Sequence, residues 1–294
     1  MKRINKIFIL SLLVMGLALP AQARGPGTTS ANFLKVGVGA RATALGEAYT
    51  ALVNDASALY WNPAALANIE NLEFFTAYNS YLLGVSQGYI ALSLPDSSLG
   101  GTVGIGANYM DMGTFEGYDK DGNPIADFGA TDSYIFLGYG RNLSGGWSLG
   151  ISLGSLSNKI QDDTKNSFLA TVGILRKIGG KYRIGAVVQN LGQDLGGDPL
   201  PLTFKIGAAA KFPSSTLSGD ICLPNDNNVY LCLGVEWNPT KEFSLRGGYR
   251  TGRDEGSGLS IGTGFEIEKL SLDYAFTPFG DLGNTHKVSL KTGF

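Results

Sequence analysis

KLSLDYAFT (Lys269–Thr277) and HKVSLKTGF (His286–Phe294) stand near the end of the chain, and their reading decides its fold. In the first, Leu270, Leu272, Tyr274 and Phe276 share one face of an extended strand, while Ser271 and Asp273 share the other. In the second, Val288, Leu290 and Phe294 oppose Lys287, Ser289 and Lys291. Successive side chains of a strand point to opposite faces, so each stretch has one apolar and one polar side. Glu242–Arg250 repeats the pattern: Phe243, Leu245 and Tyr249 lie against Glu242, Ser244, Arg246 and Arg250. An apolar outer face with a charged inner face is the pattern of a transmembrane β-barrel.

Working back from these strands, the chain divides into fourteen such segments. They lie near 72–82, 85–95, 101–112, 131–142, 146–158, 166–176, 181–191, 200–212, 215–223, 228–238, 241–251, 257–267, 269–277 and 285–294. Most have the roughly 9–11 residues that a tilted membrane strand needs, and bacterial single-chain barrels have even strand numbers. Segment 131–142 alternates poorly, because Tyr134, Ile135, Phe136 and Leu137 run together. Connections after even-numbered segments are tight, such as Gly179-Gly180 and Pro213-Ser214. Most of those after odd-numbered ones are longer and more acidic, such as 113–130, 161–165, 192–198, 252–256 and 278–284. Arg141, Arg176, Lys177, Lys181, Lys211, Lys241 and Lys269 gather near the tight turns. The expected fold is an all-β, antiparallel barrel of about fourteen strands over 72–294.

Composition agrees and sets bounds. Met1–Ala23 has a basic start (Lys2, Arg3, Lys6), an apolar core and the small-x-small end Ala21-Gln22-Ala23, the pattern of a signal peptide; a retained anchor is the alternative. Its removal takes three positive charges, leaving 20 basic against 25 acidic residues. That balance argues against nucleic acid as a partner. No later stretch approaches roughly 18 consecutive apolar residues, so no membrane helix is expected. Glycine is abundant at 42 residues, which suits a barrel and also a periplasmic β-protein; the alternation favours the barrel.

Between signal and barrel lies a stretch of another kind. Residues 33–67 read FLKVGVGARATALGEAYTALVNDASALYWNPAALA, dominated by glycine and alanine. Its spacing suggests short helical turns broken by Gly and Pro. Asn62 before Pro63 fits an N-cap with proline at the first helical position, and Asn54 or Asp55 is placed to cap a turn near Ala56. A fourteen-stranded barrel is wider than its own side chains can fill. Inward positions include Gly104, Gly106, Gly150, Gly154, Gly262 and Gly264, and residues 24–71 are the one surplus large enough to close the space. A surface helical hairpin is the plainer alternative. As a plug, the stretch would enter at the tight-turn mouth.

The residues Gly37-Val-Gly-Ala-Arg-Ala-Thr-Ala-Leu-Gly46 and Asn54-Asp-Ala-Ser-Ala-Leu-Tyr-Trp-Asn-Pro-Ala64 resemble the N-terminal signature of the PorV/PorQ proteins, within the FadL-type outer-membrane transporter superfamily. The resemblance implies a plug built on Gly37, Gly39, Arg41, Gly46, Asp55, Asn62 and Pro63. It also implies an outer-membrane location and one of two roles. One is passive transport of a hydrophobic small molecule. The other is a component of the type IX secretion machinery that binds or shuttles exported proteins. Phe294, a terminal aromatic on an alternating strand, resembles the signal read by the barrel assembly machinery. Partners would then be outer-membrane lipids, that machinery, and either a hydrophobic ligand or secretion proteins.

Chemistry-bearing constellations are few. His286 and Ser289 fall on opposite faces of one strand, which disfavours a nucleophile–base pair, and one His with two Cys disfavours zinc. No enzymatic activity, metal or cofactor is expected. Cys222 and Cys232 are each five residues from Asn227; a hairpin symmetric about it sets them directly opposite and inward, as a disulfide or as two free thiols. Asp119-Lys-Asp-Gly-Asn123 has Pro124 where a calcium loop needs Gly, so Asp121-Gly122 reads as a hairpin turn. Tyr60, Trp61 and Tyr81 are candidates to line a hydrophobic pocket, although barrel aromatics commonly form interface girdles.

Overall fold

Among the described residues fourteen strands form, one for each alternating segment, and the sheet closes on itself. The computed structural model describes residues 25–253 and 255–294, so the signal segment Met1–Ala23 lies outside the described residues, as does Asp254. The strands are β1 (Glu73–Ser80), β2 (Ser86–Asp96), β3 (Gly101–Tyr118), β4 (Pro124–Asn142), β5 (Trp147–Ile160), β6 (Asp163–Ile178) and β7 (Tyr182–Gly192), then β8 (Thr203–Lys211), β9 (Ser215–Pro224), β10 (Tyr230–Trp237), β11 (Phe243–Arg250), β12 (Leu259–Ile267), β13 (Leu270–Pro278) and β14 (Asn284–Gly293). Each pairs antiparallel with its neighbours in sequence, and β1 pairs with β14 from Glu73↔Gly293 to Ser80↔His286. Closure leaves no unpaired sheet edge, the condition for strands to sit in lipid.

Two faces follow from the period of two. Ile135, Leu137, Leu153, Leu233, Ile261 and Val288 point outward and are exposed, giving an apolar belt. Exposed Tyr78, Tyr109 and Tyr249 sit toward one end of the barrel, and Tyr182, Trp237, Phe265 and Phe294 toward the tight-turn end. Aromatic residues at both ends of an apolar belt are the pattern of bilayer-spanning barrels.

The β3–β4 connection corrects the sequence reading. Residues 113–130 are not a loop: β3 and β4 run on, paired to Tyr118↔Pro124, and turn over Asp119–Asn123. Alternation fails there because two register shifts, between Asp111 and Thr114 and between Phe115 and Gly117, interrupt the pleat. Asp119 Oδ1 accepts from the Asp121 and Asn123 backbone N–H groups, each at 2.9 Å, which makes this acidic run a turn. The β5–β6 connection is also shorter than expected, with Gln161 and Asp162 alone between the strands. The poor alternation near 134–137 has a packing cause. Ile135 (59% exposed) and Leu137 (62%) face outward while Tyr134 (4%) and Phe136 (1%) face inward, so both sides of β4 are apolar.

Residues 25–72 run inside the barrel as short helical turns: α1 (Asn32–Lys35, 3-10), α2 (Ala40–Ala44), α3 (Ala58–Trp61) and α4 (Pro63–Asn68, 3-10). From Phe33 to Ile69 the segment is largely buried and forms most of the core with Phe75, Tyr89, Tyr134 and Phe136. The segment joins β1 at the tight-turn end and extends to the opposite end. Thr29 bonds Asp226, Ser30 N donates to the Pro199 carbonyl at 3.0 Å, and Lys35 pairs with Asp226, all in long connections.

Candidate functional site

The inner segment and the barrel wall are shaped for each other at backbone level. A Cβ at Gly150 would overlap the Pro63 carbonyl, and one at Gly248 would overlap the Gly46 amide. At Gly140 it would lie 2.7 Å from Ala67 N, and at Gly234 2.7 Å from Leu45 O. Glycine on the wall and alanine on the segment let the two backbones touch, which larger side chains forbid. Not all inward glycines serve this end: Gly106 and Gly154 make room for Phe136 and Tyr134 instead.

The signature residues have distinct places. Asn62 is extended (φ −162°, ψ 99°) and its Oδ1 accepts from Ala64 N at 3.2 Å, capping α4 with Pro63 in the first turn. Its Nδ2 donates to the Thr50 carbonyl at 2.9 Å and to Ile174 O on β6 at 3.3 Å, tying cap to wall. Asp55 accepts from Ser57 N at 2.9 Å and from the Tyr49 hydroxyl at 3.0 Å. Asn54 takes no part in that cap and accepts from Arg41 Nη1 at 2.6 Å. Gly46 has φ +63° and stands where a side chain would meet Tyr249 N at 2.6 Å. At Gly39 a Cβ would press on the Phe75 ring, and at Gly37 on Trp61.

Arg41 makes the strongest link to the wall. Its Nε and Nη2 bind both oxygens of Glu236 on β10 at 2.8 and 2.9 Å. Glu236 also accepts from Arg246 Nε on β11 at 2.7 Å, and Arg246 Nη1 donates to Asp273 on β13 at 2.6 Å. A second pair, Arg250 on β11 with Glu47 at 2.6 Å, holds the same stretch from the other side of α2. Burial alone would raise the Glu47 pKa, but the Arg250 guanidinium keeps it below the usual carboxylate range.

The lumen therefore has two unlike halves. Charged residues on β10, β11, β13 and β14 face α2. On β1, β2 and β4 aromatic rings form a chain: Tyr134 stacks on Phe136 (4.4 Å), Phe136 lies 6.3 Å from Tyr89, and Tyr89 meets Phe75 (5.8 Å) and Tyr60 (6.5 Å). Tyr60 in turn packs edge-on against Trp61 at 5.1 Å. Such pairs add to what burial of their area contributes.

Two large cavities flank the segment. One, of about 480 Å3 at the long-connection end, is bordered by Val36, Tyr81, Leu82, Phe279 and Leu282, with Glu47, Arg250 and Lys287 deeper in. A smaller one of about 60 Å3 continues from it past Lys35, Glu47 and Arg250 to Tyr60 and Trp61. The other large cavity, about 550 Å3, opens at the tight-turn end and is lined by Arg41, Glu236 and Arg246 among others. The two large cavities share no lining residue. Of the candidate ligand aromatics, Tyr60 and Trp61 border the inner cavity, while Tyr81 stands apart against Phe279 at 6.0 Å. Trp61 is also an anchor, its indole N–H donating to Val38 O at 3.0 Å.

Residues outside the lumen path fall into place. His286 bonds the Tyr274 hydroxyl at 2.8 Å on the outer face, whereas Ser289 faces inward and accepts from Ala40 N at 3.1 Å, so the two do not meet. Cys222 and Cys232 are buried, inward and free. The register corrects their expected opposition: Cys222 faces Tyr230, and Cys232 faces Asp220. The pairing is centred on Asp226, one residue before Asn227, from Tyr230↔Cys222 to Trp237↔Ser215. The charge clamp through Glu236, Arg246 and Asp273 was missed in sequence, where Arg246 and Asp273 read only as polar-face residues and Glu236 was not singled out; Arg41 within the signature was the one available signal.

No family model matches the chain, and no curated protein matches it in sequence. Solved structures do match. The CymD monoaromatic hydrocarbon channel superposes with a TM-score of 0.66 at 13% identity, covering 88% of this chain and 98% of that one. The Pseudomonas putida toluene transporter TodX gives 0.62 at 10% identity over 92% and 97%. A Pseudomonas aeruginosa FadL homologue gives 0.61 at 12% over 84% and 96%. At these identities the likeness is one of architecture, and the chain has the barrel fold of the FadL-type channels.

Proposed function

We propose that this chain is an outer-membrane channel for passive movement of hydrophobic small molecules, with residues 24–71 as its plug and Met1–Ala23 as a signal peptide. One observation carries the reading: a segment clamped by charge on one wall, and packed on an aromatic chain on the other, separates two cavities of the lumen. Neighbours in fold that are described as hydrocarbon channels support it. An apolar solute would enter past Tyr81 and Phe279, reach Tyr60 and the Tyr89–Phe136 rings, and pass when α2 and α4 shift. Phe294, exposed after β14, would serve barrel assembly.

The test is uptake of a labelled monoaromatic hydrocarbon by cells with an intact lipopolysaccharide layer, with and without the chain. Faster uptake with the chain supports the reading; equal uptake ends it.

A second reading, docking of exported proteins as a type IX secretion component, has its own support. The β3–β4 hairpin runs beyond its neighbours β2 and β5, with Phe115, Tyr118 and Ile125 exposed. Native mass spectrometry from mild detergent separates the two readings: a co-purifying lipid-like molecule favours transport, and secretion proteins favour docking.

A further inference from the structure

The cavity at the tight-turn end carries unbalanced charge. Seven basic and four acidic side chains line it, and two of the acids, Glu236 and Asp273, are already taken by Arg41 and Arg246. Arg183, Lys211 and Lys291 stand on the inward-facing positions near the tight-turn ends of β7, β8 and β14, and Lys241 joins them from the turn before β11. None of these four is in an ion pair among the described residues. Arg183 donates only to the Leu52 carbonyl, at 3.4 Å. In the opposite cavity Lys35 has Asp226 and Arg250 has Glu47, while Lys287 bonds the Gly37 carbonyl and Arg253 is in no ion pair among the described residues.

Like charges converging on a walled cavity raise its potential and concentrate counter-ions there. Guanidinium and ammonium groups donate hydrogen bonds that phosphate and carboxylate oxygens accept, and both partners being charged strengthens each bond. We propose that this cavity is a binding site for a multivalent oxyanion, a phosphate or polycarboxylate group, held by Arg183, Lys211, Lys241 and Lys291. Arg41 lines the same cavity, so a bound anion competes with Glu236 for its guanidinium and loosens α2. That second step rests on the plug reading; the binding site does not.

Titration calorimetry of pyrophosphate into the full chain in dodecyl maltoside at low salt tests the site. Wild type is expected to bind, and Lys211→Gln with Lys241→Gln to weaken binding at least about tenfold, the effect of two charges several ångströms from the anion. Lys35→Gln, in the other cavity, is expected to leave affinity unchanged. Added salt is expected to weaken wild-type binding through screening. The anion has two sources that native mass spectrometry distinguishes. Phosphatidylglycerol retained by wild type and lost in the double variant identifies a lipid headgroup; pyrophosphate binding without retained lipid identifies a free solute. Either supports the site. Absent binding to folded wild type, equal affinity in the double variant, or loss of binding in Lys35→Gln overturns it. Hydrocarbon uptake does not enter this experiment, so its failure and the failure of the channel reading are separately visible.

Discussion

Glu236→Gln is the sharpest perturbation of the clamp. The carboxylate serves two guanidiniums, Arg41 on the inner segment and Arg246 on the wall, at 2.7–2.9 Å. Removing one member of a buried ion pair costs about 3–5 kcal/mol, because the partner charge stays buried. Two features reduce that figure. Arg41 is 20% exposed and borders a large cavity, and Arg246 keeps Asp273. An estimate of about 2 kcal/mol for the hold on α2 follows, or roughly a 30-fold rise in the displaced population. Planar-bilayer conductance reads it as a comparable increase in open time, and hydrogen exchange reads it as faster exchange of the Ala40–Ala44 amides. Arg41→Gln is expected to match it, and the double variant to add little, since both changes remove one interaction. Unchanged conductance and unchanged exchange with an intact barrel would refute the clamp. Additive effects would show that Glu236 acts through Arg246 alone.

Three further outcomes are expected. Asn62→Ala with Pro63→Ala removes three hydrogen bonds, the cap among them, at about 1 kcal/mol for the cap alone, and should raise liposome permeability to small solutes; unchanged permeability counts against the plug. Alkylation of the unfolded, unreduced protein should label both Cys222 and Cys232, which are free in the structure; no labelling would establish a bridge. The Glu47 pKa is depressed by Arg250, so its contribution is present above the ordinary carboxylate range and is lost as pH falls through the lowered folded value. Exchange of residues near Glu47 should therefore quicken at strongly acidic pH in wild type and lose that dependence in Glu47→Gln.

Strand number and facing were legible because both are local. Leu270, Leu272 and Tyr274 need only the pleat to share a side, and Gly179-Gly180 needs only its own backbone to turn. The cap at Asn62 was legible for the same reason, since Ala64 N is two residues away. Residues 113–130 were misread because bulges shift the pleat without changing composition. The cysteine register was misread because where the β9–β10 turn begins depends on Leu202, Thr203 and the strands alongside.

The sequence by itself determined a fourteen-stranded alternation with an apolar outer face and a small-sided segment able to approach backbone. These are properties of neighbouring residues, set by the two-residue period and side-chain size. Only the tertiary structure decided that Arg41 meets Glu236, 195 residues away, that aromatic rings gather on β1, β2 and β4, and that cations in no ion pair among the described residues converge at the tight-turn end. Those pairings lie across a lumen, and barrel closure, strand stagger and the path of the inner segment set them together.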